Sequence, residues 1–336
     1  MNAESSASGL DLVRLRALTL DGVEARFPLQ PGDRHLVAIG ETVVRGAPLA
    51  ERLREARTEV AAGPAGRSGV PGGWWQGPLA RRPRARRTVQ GELLFQSGGH
   101  WRIAAGDPTE PLEAPFGGII TDVRPGIDVR LRTDARALLA ADVLGGPSSG
   151  RLHFLAGRDG HVRAAEIDVA GAGAVLVVGS TIDAEAITRA RAVGVRGIVV
   201  ASLGVKERRE VAGSELRARA GVHGLPPFAV LVLEGAIARP IATPIMAILE
   251  AIEGRTVAIV SGPACLVFDA TELDLPAVDG NLVRITAGPL AGLEGAWGGL
   301  AGPYRFTGGV VLEAGWVRMG SRDPVAVPLG DLERFA

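Results

Sequence analysis

The sequence predicts a multidomain α+β protein: a β-rich N-terminal region, a small α/β domain with a parallel sheet, and a small C-terminal β-barrel. Three observations carry that prediction. Within residues 281–335 the β-type run Val283-Arg284-Ile285 leads through Gly288-Pro289-Leu290, Gly292 and Gly295 to Trp297, and β-type runs follow at 310–317 and 324–329. Glycines so placed permit tight turns between short strands. Residues 167–260 alternate apolar runs with helical periodicity, the pattern of βαβ units. Residues 112–131 set apolar side chains at every second or third position between proline and glycine turns, which suits a curved antiparallel sheet.

The chain of 336 residues is long for one core, and the expected boundaries are 10–145, 151–275 and 280–336. Apolar residues make up 46% and charged residues 22%, the balance of a folded chain. Aromatics are only 4%, so Val, Leu, Ile and Ala must fill the cores.

In the first region, Leu18-Thr19-Leu20 and residues 23–27 read as two strands turned at Asp21-Gly22. Residues 50–61 read as helical or irregular because Glu51, Arg52, Arg54, Glu55 and Arg57 crowd the stretch. Residues 63–87 read as a loop holding Trp74, Trp75 and the basic cluster Arg81, Arg82, Arg84, Arg86 and Arg87, either an acid- or phosphate-binding arm or a solvated loop. The span 50–110 is an expected insertion. Gly145-Gly146-Pro147-Ser148-Ser149-Gly150 reads as the linker to the next domain.

In the α/β domain, residues 174–178 form a continuous apolar run, as a buried parallel strand does. Ile187, Ala190 and Val193 opposite Glu185, Arg189 and Arg191 predict an amphipathic helix over 182–193, stopped at Gly194. A strand at 197–200, a charged helix at 205–220, a strand at 228–233, a helix at 244–252 and a strand at 257–260 complete it. Ser180, Thr181 and Asp183 follow the first strand, where such folds bind ligands; there Ser180 or Thr181 can cap the helix or hold an anion.

Two stretches resemble known families. Gly40, Val43, Gly46 and Leu49, with Ala114-Pro115, Gly118, Val123, Gly126 and Val129, look like the two halves of a biotinyl/lipoyl-type barrel-sandwich hybrid. Carrier members bear a modified lysine on an exposed hairpin. This chain's one lysine, Lys206, lies elsewhere, so the resemblance implies a non-carrier module. Val283, Arg284, Ile285, Gly288, Pro289, Gly292 and Gly295, with Pro328-Leu329 and Leu332-Glu333, resemble the KOW type of SH3-like barrel found in NusG-like elongation factors and ribosomal proteins. That resemblance implies contact with RNA, RNA polymerase or ribosomal protein through the turn Arg284, Gly288, Pro289, Leu290, Gly292, Gly295 and Trp297. RNA-binding members carry basic residues after the last glycine. Ala296-Trp297-Gly298 stands there in this chain and favours a protein partner.

Charge excludes a global attraction to nucleic acid, since 37 basic residues balance 37 acidic ones. One cysteine, Cys265, excludes an intrachain disulfide and a multi-cysteine zinc site. His35, His100, His153, His161 and His223 are scattered without metal-ligand spacing, and no glycine fingerprint marks a dinucleotide site. No cofactor or metal is therefore expected. No apolar run of about 18 residues predicts a membrane span, and the polar start predicts the cytoplasm. Two classes of function fit: a non-enzymatic adaptor with a protein partner, RNA or DNA at the C-terminal barrel, and an enzyme or small-molecule sensor using Ser180, Thr181 and Asp183.

Overall fold

The computed structural model describes residues 9–29, 32–53, 57–62, 92–97, 100–105, 109–219, 227–321 and 323–336. The protein is a β-rich mix of strands with three α-helices among these residues. Its centre is a parallel set of four strands, Ala229–Gly235, Gly197–Ser202, Ala174–Val177 and Ser148–Phe154, in that lateral order. Helices α1 (Ala184–Val193) and α2 (Val205–Arg219) cover one face, and α3 (Thr243–Ala251) covers the other.

The apolar runs follow from that double cover. Leu176, Val178, Ile198, Val200 and Val230 pack toward Ile187, Ala190 and Val211 of the first two helices. Val175, Val177, Val199, Ala201 and Leu231 pack toward Ile245, Ile248 and Leu249 of the third. A strand buried on both sides needs apolar residues at every position, which is why alternation disappears here. Gly194 ends α1 at φ 95°, the left-handed cap expected of it. The parallel set begins earlier than the sequence suggests, at Ser148, and Thr256–Val260 joins it antiparallel, against Ser148–Phe154.

The sheet does not stop at the parallel set. Thr256–Val260 pairs with Cys265–Phe268, which pairs with the long strand Asp128–Leu139, and that strand carries Gly118–Arg124 and Thr19–Pro28. One face of the 256–268 hairpin gives Val257, Ile259, Leu266 and Phe268 to the central core. The other gives Ala258, Val260, Cys265 and Val267 to the N-terminal core around Phe27, Leu49 and Leu131. The expected linker is likewise absorbed. Asp142–Gly145 pairs antiparallel with Ala229–Gly235, and only Gly146 and Pro147 separate it from Ser148.

Three local expectations change. Thr19–Pro28 is one strand, and the Asp21-Gly22 region is an irregularity in its ladder, with Gly22 at φ 74°. Pro48–Leu53 and Arg57–Ala62 are strands, paired with Thr109–Glu113 and His100–Ala105. The charges that suggested a helix there are compatible with strand positions, so charge density alone misled. The first strand, Arg14–Arg16, runs with the C-terminal sheet, in parallel register with Leu332–Phe335. That sheet is completed by Leu282–Ile285, Glu294–Arg305, Val311–Arg318 and Val325–Pro328.

A close backbone approach at Gly150 offers a test of the central register. A Cβ there would lie 2.4 Å from the Gly173 carbonyl oxygen, with main chain rather than a movable side chain in the way. Gly150→Ala is expected to lower stability by about 1–3 kcal/mol in urea unfolding, as overpacking in an unyielding core does.

Candidate functional site

The carboxyl ends of the parallel strands are where α/β sheets hold ligands, and here four loops converge: 155–160, 179–183, 203–205 and 236–242. Gly179 is held at φ 80° beneath Gly157 and Gly160, where a Cβ would fall 2.3 Å from the Gly157 carbonyl oxygen. The following residues turn back on themselves. Ser180 Oγ donates to the Arg239 carbonyl at 2.9 Å, and the Ser180 and Thr181 amides both donate to the Gly160 carbonyl.

A short parallel bridge, His161–Val162 against Thr181–Ile182, then brings a histidine to the predicted group. His161 Nδ1 lies 2.7 Å from Thr181 Oγ1, and Nε2 lies 3.2 Å from Asp183 Oδ1. With Nε2–H donating to the carboxylate, Nδ1 accepts the threonine hydroxyl proton. This is the order of a nucleophile, base and orienting acid. Two facts deprive it of the rest of such a site. The His161 and Asp183 side chains are 42% and 50% exposed, so water screens the relay, and the amides that would stabilise an oxyanion are already bonded to Gly160. Neither Ser180 nor Thr181 caps α1. Asp183 takes the N-cap position without a capping hydrogen bond, its carboxylate turned to His161.

Over these loops sits the C-terminal sheet, fastened by a buried ionic cluster. Arg284 is fully buried; its Nη1 donates to Glu234 Oε1 at 2.7 Å and its Nη2 to the Pro240 carbonyl at 2.6 Å. The other Glu234 oxygen takes Arg16 Nη1 at 2.7 Å, while Arg16 Nη2 donates to the Leu233 carbonyl. Glu294 adds a second fastening, accepting from the Thr243 amide at 2.9 Å and pairing with Arg158 at 3.0 Å. Gly292, at φ 89°, lets the loop come against Arg239 and Pro240, which a Cβ would meet at 2.9 and 3.2 Å. Burial alone would raise the Glu234 carboxyl, yet the Arg284 and Arg16 guanidinia hold it below the usual carboxylate range.

The residues expected to face a partner therefore divide. Arg284 points inward and is spent on Glu234, because its strand position faces the adjoining unit rather than solvent. Trp297 is buried with Val283, Ile285 and Val317. Gly295 is a packing position, where a Cβ would lie 2.6 Å from the Arg318 carbonyl. Leu290 packs against the same core, leaving Gly288 and Pro289 exposed. Arg81, Arg82, Arg84, Arg86 and Arg87 lie outside the described residues.

The C-terminal sheet does expose an apolar run, between the exposed Arg305 and Glu313. The hairpin of Glu294–Arg305 and Val311–Arg318 presents Val310, Val311 and Leu312 at 55%, 52% and 45% exposure. Beside them Tyr304 stands edge-on to Phe306 and Trp316, at ring distances of 5.1 and 5.9 Å. The sequence marked 310–317 as a β-type run but singled out none of these as a surface, although the apolar run Val310-Val311-Leu312 was visible. Cys265 is buried, and burial pushes its thiol up to about 12, which leaves it inert as a nucleophile at neutral pH. No cluster of three metal-ligating side chains occurs among the described residues, and no described helix is long and apolar enough to cross a membrane. No model of a known protein family and no curated protein sequence matches this chain.

Removing the Glu234 charge tests the cluster. Glu234→Gln leaves the buried Arg284 uncompensated and is expected to cost about 3–5 kcal/mol at pH 7. A folded-state carboxyl held low contributes stability that is present above the unfolded value and is lost as pH falls through the folded one. The gap between wild type and variant should thus shrink as urea unfolding is repeated from pH 7 down through pH 4 and below.

Proposed function

We propose that the protein is a non-enzymatic adaptor whose C-terminal unit, an SH3-like barrel of the KOW type, docks a protein partner through its apolar hairpin. The observation that carries this reading is the exposed run Val310, Val311 and Leu312 beside Tyr304. Contiguous exposed apolar surface is uncommon on a chain that acts alone, and aromatic side chains are enriched where proteins meet. The inward orientation of Arg284 supports a protein partner over RNA, since the cation the family pattern would offer to phosphate is occupied by Glu234.

On this reading the N-terminal unit is a barrel-sandwich hybrid without a carrier lysine, and the central α/β unit is a rigid platform. Support for the platform role comes from the 236–242 loop, which covers the strand ends and is itself held by Ser180, Arg158 and Arg284.

The test is a partner isolated from the native host and reconstituted at defined stoichiometry. Val311→Asp with Leu312→Asp should weaken its binding at least about tenfold while leaving the melting temperature close to wild type, both positions being exposed. Unchanged affinity would sink the adaptor reading. So would a metabolite that raises the melting temperature of wild type but not of Ser180→Ala with Thr181→Ala, an outcome that points instead to the sensor.

A further inference from the structure

A cleft of about 550 Å3 opens where Thr256–Val260 and Cys265–Phe268 pass from the central core to the N-terminal one. It exists because the side chains there are small: Ala135 and Ala258, with Gly117 and Gly254, leave a hollow that larger residues would fill. Phe116 and Val267 give it an apolar floor.

Three arginines from separate segments stand around this hollow, Arg45, Arg151 and Arg255. Arg45 and Arg151 make no hydrogen bond or ion pair through their side chains among the described residues. Arg255 makes no close ion pair among the described residues; its Nη1 reaches the carbonyls of Asp269 and Thr271, at 3.4 Å each, and its charge is felt by the Asp269 carboxylate. Among the described residues the one acid in the lining is Asp269, which is held below the usual carboxylate range by hydrogen bonding from Thr271 and by the nearby charge of Arg255. The lining therefore carries three positive charges against one negative, in a chain whose formal charge is zero.

A second hollow of about 610 Å3 adjoins it across Gly117, Thr133, Ala135 and Asp269. It adds Arg132, without an ion pair among the described residues, and Asp134, while its Arg136 and Asp21 are paired with each other. The excess of positive charge thus sits on the Arg45, Arg151 and Arg255 side.

We propose that this cleft binds a small organic polyanion carrying at least two phosphate or carboxylate groups on an apolar body. Guanidinium forks suit both oxyanions, the volume lies in the range of small-molecule sites, and the floor accepts the uncharged part. Arg45 belongs to the N-terminal unit, and Arg151 and Arg255 to the central one. A bound polyanion would therefore bridge the two, away from both the apolar hairpin and the Ser180 loops. The site is independent of the adaptor reading and survives its failure.

Isothermal titration with inorganic pyrophosphate, citrate and ATP at low ionic strength tests it. Saturable binding of at least one probe is expected, weakened at least about tenfold by Arg45→Ala or by Arg151→Ala. Both arginines are exposed, so both variants should keep the wild-type melting temperature. Ala135→Leu, which fills the hollow without changing charge, should abolish the binding. Pyrophosphate and ATP binding without citrate assigns the phosphate class, and the reverse assigns carboxylates. No saturable binding of any probe at millimolar concentration overturns the proposal, as does an affinity that the arginine variants leave unchanged.

Discussion

One carboxylate holds the two ends of this molecule to its middle. Glu234 stands at the end of a central strand and takes a guanidinium on each oxygen, Arg16 from the first strand and Arg284 from the C-terminal sheet. Moving such charges out of water is costly, and their attraction offsets that cost only if nearly every donor finds an acceptor. Here the carbonyls of Leu233 and Pro240 accept from Arg16 Nη2 and Arg284 Nη2, while the buried Arg284 Nε finds no acceptor among the described residues. The cluster is thus less a source of net stability than a determinant of geometry. It admits one placement of the C-terminal sheet, and that placement lays the 236–242 loop over the strand ends.

That arrangement inverts what the two outer surfaces present. The cation of Arg284 is turned inward, and the apolar run Val310-Val311-Leu312 is turned outward. The N-terminal and central units, meanwhile, share a hairpin whose alternate residues enter different cores. One sheet runs through both units, carried from one to the other by residues 256–268, 128–139 and 19–28.

The sequence was most legible where burial was complete. The runs at 174–177 and 197–202, the stripe Ile187-Ala190 and the stop at Gly194 all stand close to their expected places, because two-sided burial and a left-handed cap leave few alternatives. Pairings between distant residues were not legible. Nothing local announces that His161 lies beside Thr181, since a two-residue parallel bridge sets their contact. Arg284 was expected at a partner surface because the family resemblance implied it, and the carboxylate that claims it, Glu234, lies 50 residues away. Trp297 looked available for the same reason, until packing against Val283 and Val317 claimed it.

The parallel pairing of Arg14–Arg16 with Leu332–Phe335 also bears on the order in which the chain is built. Arg16 and Glu333 are 317 residues apart. A chain emerging from the ribosome must keep Arg14–Arg16 without this pairing until residues 332–335 have been made. The entropy of closing so large a loop grows only slowly with its length, so the delay is one of timing rather than of final stability. During that interval Arg14–Arg16 waits for its strand partner, and Glu234, once made, meets Arg16 before Arg284 exists.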